Sequence, residues 1–212
     1  HFLPECAATI GNTDNDYRTV QLRGSQTRAR VVIAADGLAG TSLAKLPDFG
    51  PRITARSRIG IGAVIENPSP AFRRGEITMI CGRHGYMGAV WIEDNRLDIA
   101  AAIDPIWLKS IGGPEAAVAS MLAEAGIDAD LSCVWRGTPA LTRRRRVEAE
   151  RLLVIGDAAG YVEPFTGEGM AWAVASAEAA ASFASTHILR NPVARATRVP
   201  RSSWTALHRR LV

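Results

Sequence analysis

The chain has 212 residues, a hydrophobic content of 47% and a formal net charge of +4 at pH 7. This length and composition describe a globular protein of one or two domains that can bury an apolar core. Three widely spaced cysteines without a C-x-x-C pair, and four histidines without metal-ligand spacing, argue against a zinc site and a disulfide framework. The longest apolar stretch, residues 170–188, contains Glu178 and His187, so no integral membrane segment is expected.

The first clear element in chain order is a β-branched run at residues 31–35, which ends at Asp36-Gly37. Such a run predicts a strand, and Asp-Gly predicts a turn at its end. Taken alone, this segment is a common strand and turn.

Residues 53–103 contain short, partly alternating runs separated by turn residues, which predict an antiparallel sheet. A turn at Glu93-Asp94-Asn95 is expected within it. A helix is predicted from Gly113-Pro114 to about Ala125, because Gly126 ends it, and residues 131–136 are expected to form one more strand. The strands of the sheet are predicted at residues 53–66, 76–80, 85–92 and 96–103.

Aromatic and polar side chains in this sheet are the candidates for contact with a substrate. Tyr86 and Trp91 are predicted to pack against the sheet; the alternative is that they line an apolar pocket for a ring or polyene. Taken singly, the polar candidates are typical surface residues, and no acid–base pair stands out, so no catalytic side chain is assigned. The side chains that could orient a phenolate or carboxylate are Arg56, Arg58, Arg83, His84 and Arg136.

An arginine run at residues 143–146 supplies much of the net positive charge, together with arginines near the end of the chain. Aromatic residues are not interleaved with these arginines, so nucleic acid is not an expected partner. The run is predicted to be a solvated loop. The alternative is an electrostatic footprint for a dinucleotide phosphate or an anionic substrate.

Residues 152–170 carry the most informative pattern, an apolar run followed by a glycine-rich loop. The run Leu-Leu-Val-Ile predicts a strand buried on both faces, as in a parallel sheet. Ligands bind beyond the carboxyl ends of such strands, so Asp157 is expected to face a ligand. The glycines let the backbone approach a flat molecule, and amides from Thr166 to Met170 are free to donate at a helix start.

An alanine-rich helix is predicted from Gly167 to a stop at Asn191-Pro192. Most of this helix is expected to be scaffold, with its first turn facing a ligand. One stripe of the helix is predicted to be buried, formed by Met170, Val174, Ala177, Ala181 and Ile188.

Residues 156–169 resemble the Gly-Asp motif of the flavoprotein family that includes para-hydroxybenzoate hydroxylase, the aromatic-ring monooxygenases, the flavin-dependent halogenases and the geranylgeranyl reductases. The resemblance implies that Asp157 hydrogen-bonds the ribityl chain of FAD. It also implies that the loop and the helix start, through Met170, face the pyrimidine edge of the flavin ring. The matching residues are Gly156-Asp157-Ala158-Ala159-Gly160, Pro164, Gly167, Glu168 and Gly169.

Asp36-Gly37 resembles a second motif of the same family, which lies near the FAD diphosphate and the nicotinamide donor. Family members usually have Ser three residues after the Gly, where this chain has Gly40, and its Ser comes later, at Ser42. The cofactor-binding residues implied by the two motifs are Asp36, Gly37, Gly156, Asp157, Ala158, Pro164, Gly167, Glu168, Gly169 and Met170.

The family's amino-terminal Gly-x-Gly-x-x-Gly motif has no counterpart before Val31, so the chain is expected to be a fragment that holds FAD weakly or not at all by itself. The resemblance implies an α/β fold, α+β overall: an incomplete FAD-binding Rossmann-like domain with an inserted antiparallel β-sheet substrate domain. We expect a partial FAD-binding domain at residues 1–48, the substrate-binding sheet at 49–140, and the return of the FAD-binding domain, with its Gly-Asp strand and helix, at 141–212.

The expected function is that of the carboxyl-terminal portion of an FAD-dependent oxidoreductase. The resemblance implies a cytoplasmic monooxygenase that uses NAD(P)H and acts on an apolar or aromatic small molecule. Two alternatives stay open: a geranylgeranyl-reductase-like flavin reductase of isoprenoid double bonds, and a truncated, non-catalytic remnant unable to hold FAD. An ordinary NAD-linked dehydrogenase is disfavoured because it needs the missing glycine motif.

Overall fold

The computed structural model describes residues 1–186 apart from residues 15, 67, 164 and 166. Contacts divide the chain into two compact units: His1–Ile53 together with the chain from Arg143 onward form the first, and Thr54–Thr142 form the second. The sequence-based boundaries after residues 48 and 140 fall close to these divisions. The assignment of the parts to FAD and to substrate stays a prediction.

Elements are numbered in chain order. The strands are β1 (Ala8–Thr13), β2 (Arg18–Leu22), β3 (Ser25–Ala29), β4 (Val32–Ala34), β5 (Arg52–Ile53), β6 (Ile59–Ile65), β7 (Ile77–Gly82), β8 (Gly85–Trp91), β9 (Leu97–Ile103), β10 (Arg136–Ala140), β11 (Arg143–Arg144), β12 (Glu148–Ala149), β13 (Leu152–Val154) and β14 (Gly160–Tyr161). The helices are α1 (Pro105–Ser110), α2 (Pro114–Glu124) and α3 (Gly169–Ala184). Short 3-10 turns lie at Thr41–Leu43, Pro47–Phe49 and Gly156–Ala158. The described residues therefore form a mixed α+β fold, which confirms the predicted class.

The centre of the first unit is a sheet of order β12-β13-β4, in which β13 runs parallel to β4 and antiparallel to β12. Leu152 and Val154 are completely buried and Leu153 is nearly so, because an uninterrupted apolar run suits a strand covered on both faces. The predicted buried strand is therefore confirmed, and β4 is its parallel neighbour. The two segments that resemble flavoprotein motifs follow these neighbouring strands.

Two further antiparallel sheets belong to the first unit, with strand orders β1-β2-β3 and β14-β11-β5. The core of the unit gathers apolar side chains from the central sheet, the 3-10 turns and α3, among them Ile10, Leu43, Phe49 and Phe183. Burial of such side chains supplies the main favourable term in folding.

Helix α3 turns a different face to the core from the one that the sequence predicted. Met170 is 82% exposed and Val174 is 68% exposed, and Ala177 and Ala181 are also exposed, so the predicted stripe is wrong for its described members. Ile188 and the stop at Asn191-Pro192 lie outside the described residues. An alanine-rich helix has similar hydrophobicity on every side, so its apolar pattern does not decide which face is buried. The buried residues are Ser176, Ala180, Phe183 and Ala184.

The second unit contains an antiparallel sheet of order β10-β6-β9-β8-β7. Alternate side chains of the sheet, including Ile61, Met87 and Ile99, are buried in a core that also takes in Val118 and Leu122 of α2. The predicted antiparallel sheet is confirmed, but its expected connectivity as a simple meander is wrong for β6, which pairs with β9 and not with β7. Also confirmed are the turn before β9, where Asp94 and Asn95 have positive φ angles, and the helix that starts at Pro114.

The strand predicted at residues 131–136 is wrong, because the strand in this region, β10, begins only at Arg136. Leu131, Cys133 and Trp135 alternate inward and pack with the core of the second unit. Their alternation resembles that of a strand, but pairing with β6 starts at Arg136 opposite Gly62. Apolar alternation therefore identified which side chains face the core, but not where the strand begins.

Across the described residues, none of the helices has the length and apolar character needed to cross a membrane. The same residues contain no group of three or more His, Cys, Asp and Glu side chains placed to hold a metal ion.

Candidate functional site

The two loops that carry the predicted FAD contacts leave the same edge of the central sheet. β4 and β13 are parallel neighbours with Ala34 opposite Val154, and the amide of Ile155 donates to the carbonyl of Ala34 at 3.0 Å. Asp36 and Asp157 follow these strand ends by two and three residues. We call residues 35–40 the Asp36 loop and residues 156–159 the Asp157 turn. The fold therefore brings together two segments that lie about 120 residues apart in the sequence.

Ser176 of α3 fixes the start of the Asp157 turn. Gly156 has a φ of +55°, and its amide donates to Oγ of Ser176 at 3.0 Å. The hydroxyl of Ser176 in turn donates to the carbonyl of Ala173 at 2.9 Å. A Cβ atom on Gly156 would approach Cβ of Ala173 to 3.4 Å. Glycine at this position therefore lets the turn lie close against the helix in a backbone conformation that other residues rarely adopt.

The Asp157 side chain is half-buried and has no hydrogen-bond partner among the residues that the structure describes. Burial raises the pKa of its carboxyl above the ordinary value. Burial also raises the pKa of the nearby Tyr161 phenol, and the negative charges of Asp157 and Glu163 raise it further. Asp157 is therefore an acceptor that the described protein leaves available.

Asp36 differs from Asp157, because its carboxylate accepts hydrogen bonds from Thr41 and Ser42, directly after its own loop. One oxygen accepts from the Ser42 amide at 2.7 Å and from the Thr41 hydroxyl at 3.3 Å, and the other accepts from the Ser42 hydroxyl at 3.1 Å. These bonds cap the 3-10 turn Thr41–Leu43, much as an Asp caps a helix. Gly37 has a φ of +71° at the sharp bend after Asp36.

The arginine run is folded into the first unit, so the prediction of a solvated loop is wrong for three of its four residues. Arg143 is 4% exposed and Arg145 is half-buried. Arg146 pairs with Asp48 at 2.9 Å and lies over the Phe49 ring at 5.4 Å. Because residues 143 and 144 form the central strand of the β14-β11-β5 sheet, the run passes through the fold.

Arg145 contacts both loops at once. Its guanidinium donates to the carbonyl oxygens of Leu38 and Ala39 in the Asp36 loop, at 3.2 and 2.7 Å, and to that of Ala158 in the Asp157 turn, at 3.1 Å. The Arg145 amide also donates to the carbonyl of Ala159 at 2.9 Å. Ala158 itself is completely buried. The turn is thus held by α3 on one side and by Arg145 on the other.

The start of α3 presents backbone donors. Gly167 has a φ of +80°, and apart from its chain neighbours no described residue has an atom within 4 Å of where a Cβ atom would lie. Glu168 occupies the N-cap position without a side-chain cap, so the amides of Gly169 and the next residues lack acceptors within the helix. Met170 is largely exposed. Pro164, another predicted contact, lies outside the described residues.

The candidates of the second unit are dispersed over its sheet and loops. The Arg58 guanidinium lies over the Tyr86 ring at 5.8 Å, and the His84 ring stacks on Trp107 at 4.7 Å. Trp91 donates from Nε1 to the carbonyl of Phe72 at 3.0 Å and packs with the core, as expected. Arg56, Arg83 and Arg136 are exposed.

Sequence reasoning missed Arg145 and Ser176 as residues of the candidate site. One signal for Arg145 was present, because consecutive arginines just before an apolar strand can alternate between inward and outward positions. Ser176 was hidden in a helix of small residues, where a buried serine and an exposed one have the same surroundings in the sequence.

No protein-family model matches the chain, and no curated protein matches it. Solved structures do match. CmlS, a flavin-dependent halogenase, is 20% identical with a TM-score of 0.75, over 97% of this chain and 40% of that one. A flavoprotein/dehydrogenase from Cytophaga hutchinsonii is 13% identical with a TM-score of 0.70, over 95% and 52%. PqsL, a probable FAD-dependent monooxygenase from Pseudomonas aeruginosa, is 19% identical with a TM-score of 0.60, over 96% and 58%.

These likenesses show that the chain has the fold found in flavin-dependent halogenases and monooxygenases, which confirms the resemblance at the level of the fold. The chain spans about half the length of these structures.

Proposed function

We propose that the chain is part of an FAD-dependent oxidoreductase and that Asp157 binds the ribityl chain of FAD. The observation that carries this proposal is the half-buried Asp157 carboxylate, which follows a parallel strand and accepts no hydrogen bond from the described residues. A carboxylate that loses water without gaining a partner costs stability. Ligand hydroxyl groups that donate to it remove this cost.

The residues of the first unit fit FAD in three respects. Asp157 offers acceptor oxygens for hydroxyl donors. The start of α3 offers amide donors and the positive end of a helix dipole, which suit the electron-rich pyrimidine edge of a flavin. Gly167 leaves the backbone open to close approach, since apart from its chain neighbours no described residue has an atom within 4 Å of where a Cβ atom would lie. When bound, FAD supplies the hydride and oxygen chemistry, while the protein orients the substrate and tunes the cofactor.

We further propose an apolar or aromatic substrate. In the second unit, Gly62, Ala100 and Gly88 lie directly opposite one another on β6, β9 and β8, and so on one face of the sheet. Met79 lies beside them, with its sulfur 3.0 Å from the position of a Cβ atom on Gly88. Small residues flanked by an adaptable thioether suit a flat apolar molecule. NAD(P)H as the electron donor and a cytoplasmic location are proposed from the motif resemblance alone.

Titration of the protein with FAD, monitored by quenching of FAD fluorescence, tests whether the protein binds this cofactor. Asp157→Ala is expected to weaken binding by about tenfold to a hundredfold, since a hydrogen bond to a charged group contributes about 1.5–3 kcal/mol. Glu178→Gln is the matched control, because it removes one exposed negative charge from α3. The titration is done with this chain and with the chain joined to any residues that precede it in its gene. Absence of FAD binding in both forms contradicts the proposal.

A second experiment separates the reaction types. NADH or NADPH oxidation is measured with candidate aromatic and isoprenoid substrates while oxygen uptake is recorded. A monooxygenase consumes oxygen in step with product. Reduction of an isoprenoid double bond without oxygen instead favours the flavin reductase, and FAD binding without turnover of any substrate favours the non-catalytic remnant.

A further inference from the structure

The Arg145 side chain hydrogen-bonds to both loops of the candidate site, and Arg143 also donates to the Leu38 carbonyl, at 3.4 Å. Three carbonyl oxygens accept from the Arg145 guanidinium at 2.7 to 3.2 Å, those of Leu38, Ala39 and Ala158. Leu38 directly follows Gly37, and Ala158 directly follows Asp157. The positions of the predicted FAD contacts in one loop are therefore tied to those in the other through a single planar group.

The chemistry of this link requires an arginine. A guanidinium carries donors in a rigid plane and stays charged, so it bridges several acceptors that lie in different directions. A lysine ammonium carries the same charge as a compact point on a flexible stem, so it does not reproduce the fixed planar arrangement of donors. Carbonyl oxygens hold the Arg145 charge in a half-buried place, where hydrogen bonds to charged groups are stronger than neutral ones.

The Arg145 guanidinium packs against Gly40, in the space that a side chain there would occupy. Gly40 has a φ of +59° and a ψ of +43°, at the start of the 3-10 turn Thr41–Leu43. A Cβ atom on Gly40 would lie 2.6 Å from both Cζ and Nη1 of Arg145. Any side chain larger than hydrogen at this position must therefore displace the guanidinium from its place. The backbone conformation of the Asp36 loop and the position of Arg145 depend on each other.

We propose that Arg145, packed against Gly40, is a positioning residue that holds the Asp36 loop and the Asp157 turn together as one FAD-binding surface. The inference rests on the proposed function, because it concerns the same FAD site. Affinity for FAD then depends on a side chain that is not one of the predicted FAD contacts. Among the described residues, the Arg145 guanidinium donates only to carbonyl oxygens of the two loops. Loss of the guanidinium frees each loop to move alone.

The first test needs no cofactor. The amides of Gly40 and Ala159 donate within the two loops, to the carbonyls of Gly37 and Gly156. Arg145→Met is expected to raise amide hydrogen exchange at both positions by about tenfold, since local opening follows the loss of local hydrogen bonds. Exchange in the β1-β2-β3 sheet is expected to stay unchanged. Arg145→Lys is expected to give a smaller increase, because it restores the charge without the planar geometry.

The second test is a double-mutant cycle on FAD affinity. Gly40→Ala is expected to weaken FAD binding by about tenfold in the wild-type background, by displacing the guanidinium, and to have almost no further effect in Arg145→Met. Gly24→Ala is the control for backbone strain, since Gly24 has a similar φ of +76° and no atom within 4 Å of an added Cβ. It is expected to leave FAD affinity unchanged.

The outcomes separate this inference from the proposed function. Joint exchange changes in the two loops, together with a coupled FAD effect, support both. If the wild type binds FAD but Arg145→Met leaves affinity and loop exchange unaltered, the positioning role is wrong while the proposed function stands. If exchange rises equally throughout the first unit, Arg145 acts on global stability only, which also overturns the inference. Coupled loops in a protein that never binds FAD overturn the proposed function and with it the FAD role of Arg145.

Discussion

The Asp36 loop and the Asp157 turn start from neighbouring parallel strands, yet their carboxylates have opposite roles. Asp36 is exposed and its oxygens accept three hydrogen bonds from Thr41 and Ser42. Asp157 is half-buried, accepts none from the described residues, and has a pKa raised by burial. The first carboxylate stabilises the folded loop. The second is half-buried without a hydrogen-bond partner among the described residues, which costs stability.

The largest expected effect is a loss of stability when Ser176, which anchors the Asp157 turn, is substituted. Ser176→Ala leaves the partly buried amide of Gly156 without its acceptor, so the free energy of unfolding is expected to fall by about 1–3 kcal/mol. Denaturant unfolding measures the change. Ser182→Ala is the matched control, since Ser182 is exposed on the same helix and its loss is expected to change stability by less than about 0.5 kcal/mol. Equal effects of the two variants would mean that α3 does not anchor the turn.

A smaller effect is expected at the other carboxylate. Asp36→Ala removes the cap of the turn Thr41–Leu43 and is expected to lower the free energy of unfolding by about 0.5–2 kcal/mol, typical of a lost cap. Asp16→Ala serves as the control, because Asp16 is exposed and lies in the β1–β2 connection. A neutral result for Asp36→Ala would remove the contrast between the two loops.

The smallest expected effect is an increase in stability, on substitution of Asp157. Because burial raises the pKa of Asp157 in the folded protein above its unfolded value near 3.8, the folded state binds a proton more tightly than the unfolded state. Stability is therefore lost as pH rises from the unfolded pKa through the folded pKa. Asp157→Asn removes this titration and is expected to raise the melting temperature at neutral pH but not at pH 3. A lower melting temperature at neutral pH would show that the carboxylate is already stabilised in the protein.

Sequence reasoning succeeded where a single physical rule decides the structure. The short apolar run at residues 152–155, which ends at a glycine, suits a strand covered on both faces, and the alternating runs of the second unit have one apolar face each. The positions of the turn residues Asp94 and Gly126 followed from their tolerance of positive φ. These features depend on local sequence alone.

Where several faces or partners compete, the sequence left the choice open. Helix α3 is alanine-rich on every side, and the face that it buries includes Ser176, whose Oγ accepts from the Gly156 amide. The sequence of the arginine run is typical of a solvated loop, but in the structure Arg145 donates to carbonyl oxygens of a loop that is distant in the sequence. The buried face of α3 and the placement of the arginine run both involve tertiary hydrogen bonds, which a hydrophobic pattern does not encode.

The most direct test of the FAD site is the pKa of Asp157, measured from its carboxyl carbon resonance with and without FAD. In the free protein we expect a pKa above the ordinary value for an aspartate. On saturation with FAD we expect it to fall below that of the free protein, because ribityl hydroxyl donors stabilise the charged carboxylate. A resonance that titrates identically in both samples, while other signals shift on FAD binding, would show that FAD does not use this carboxylate.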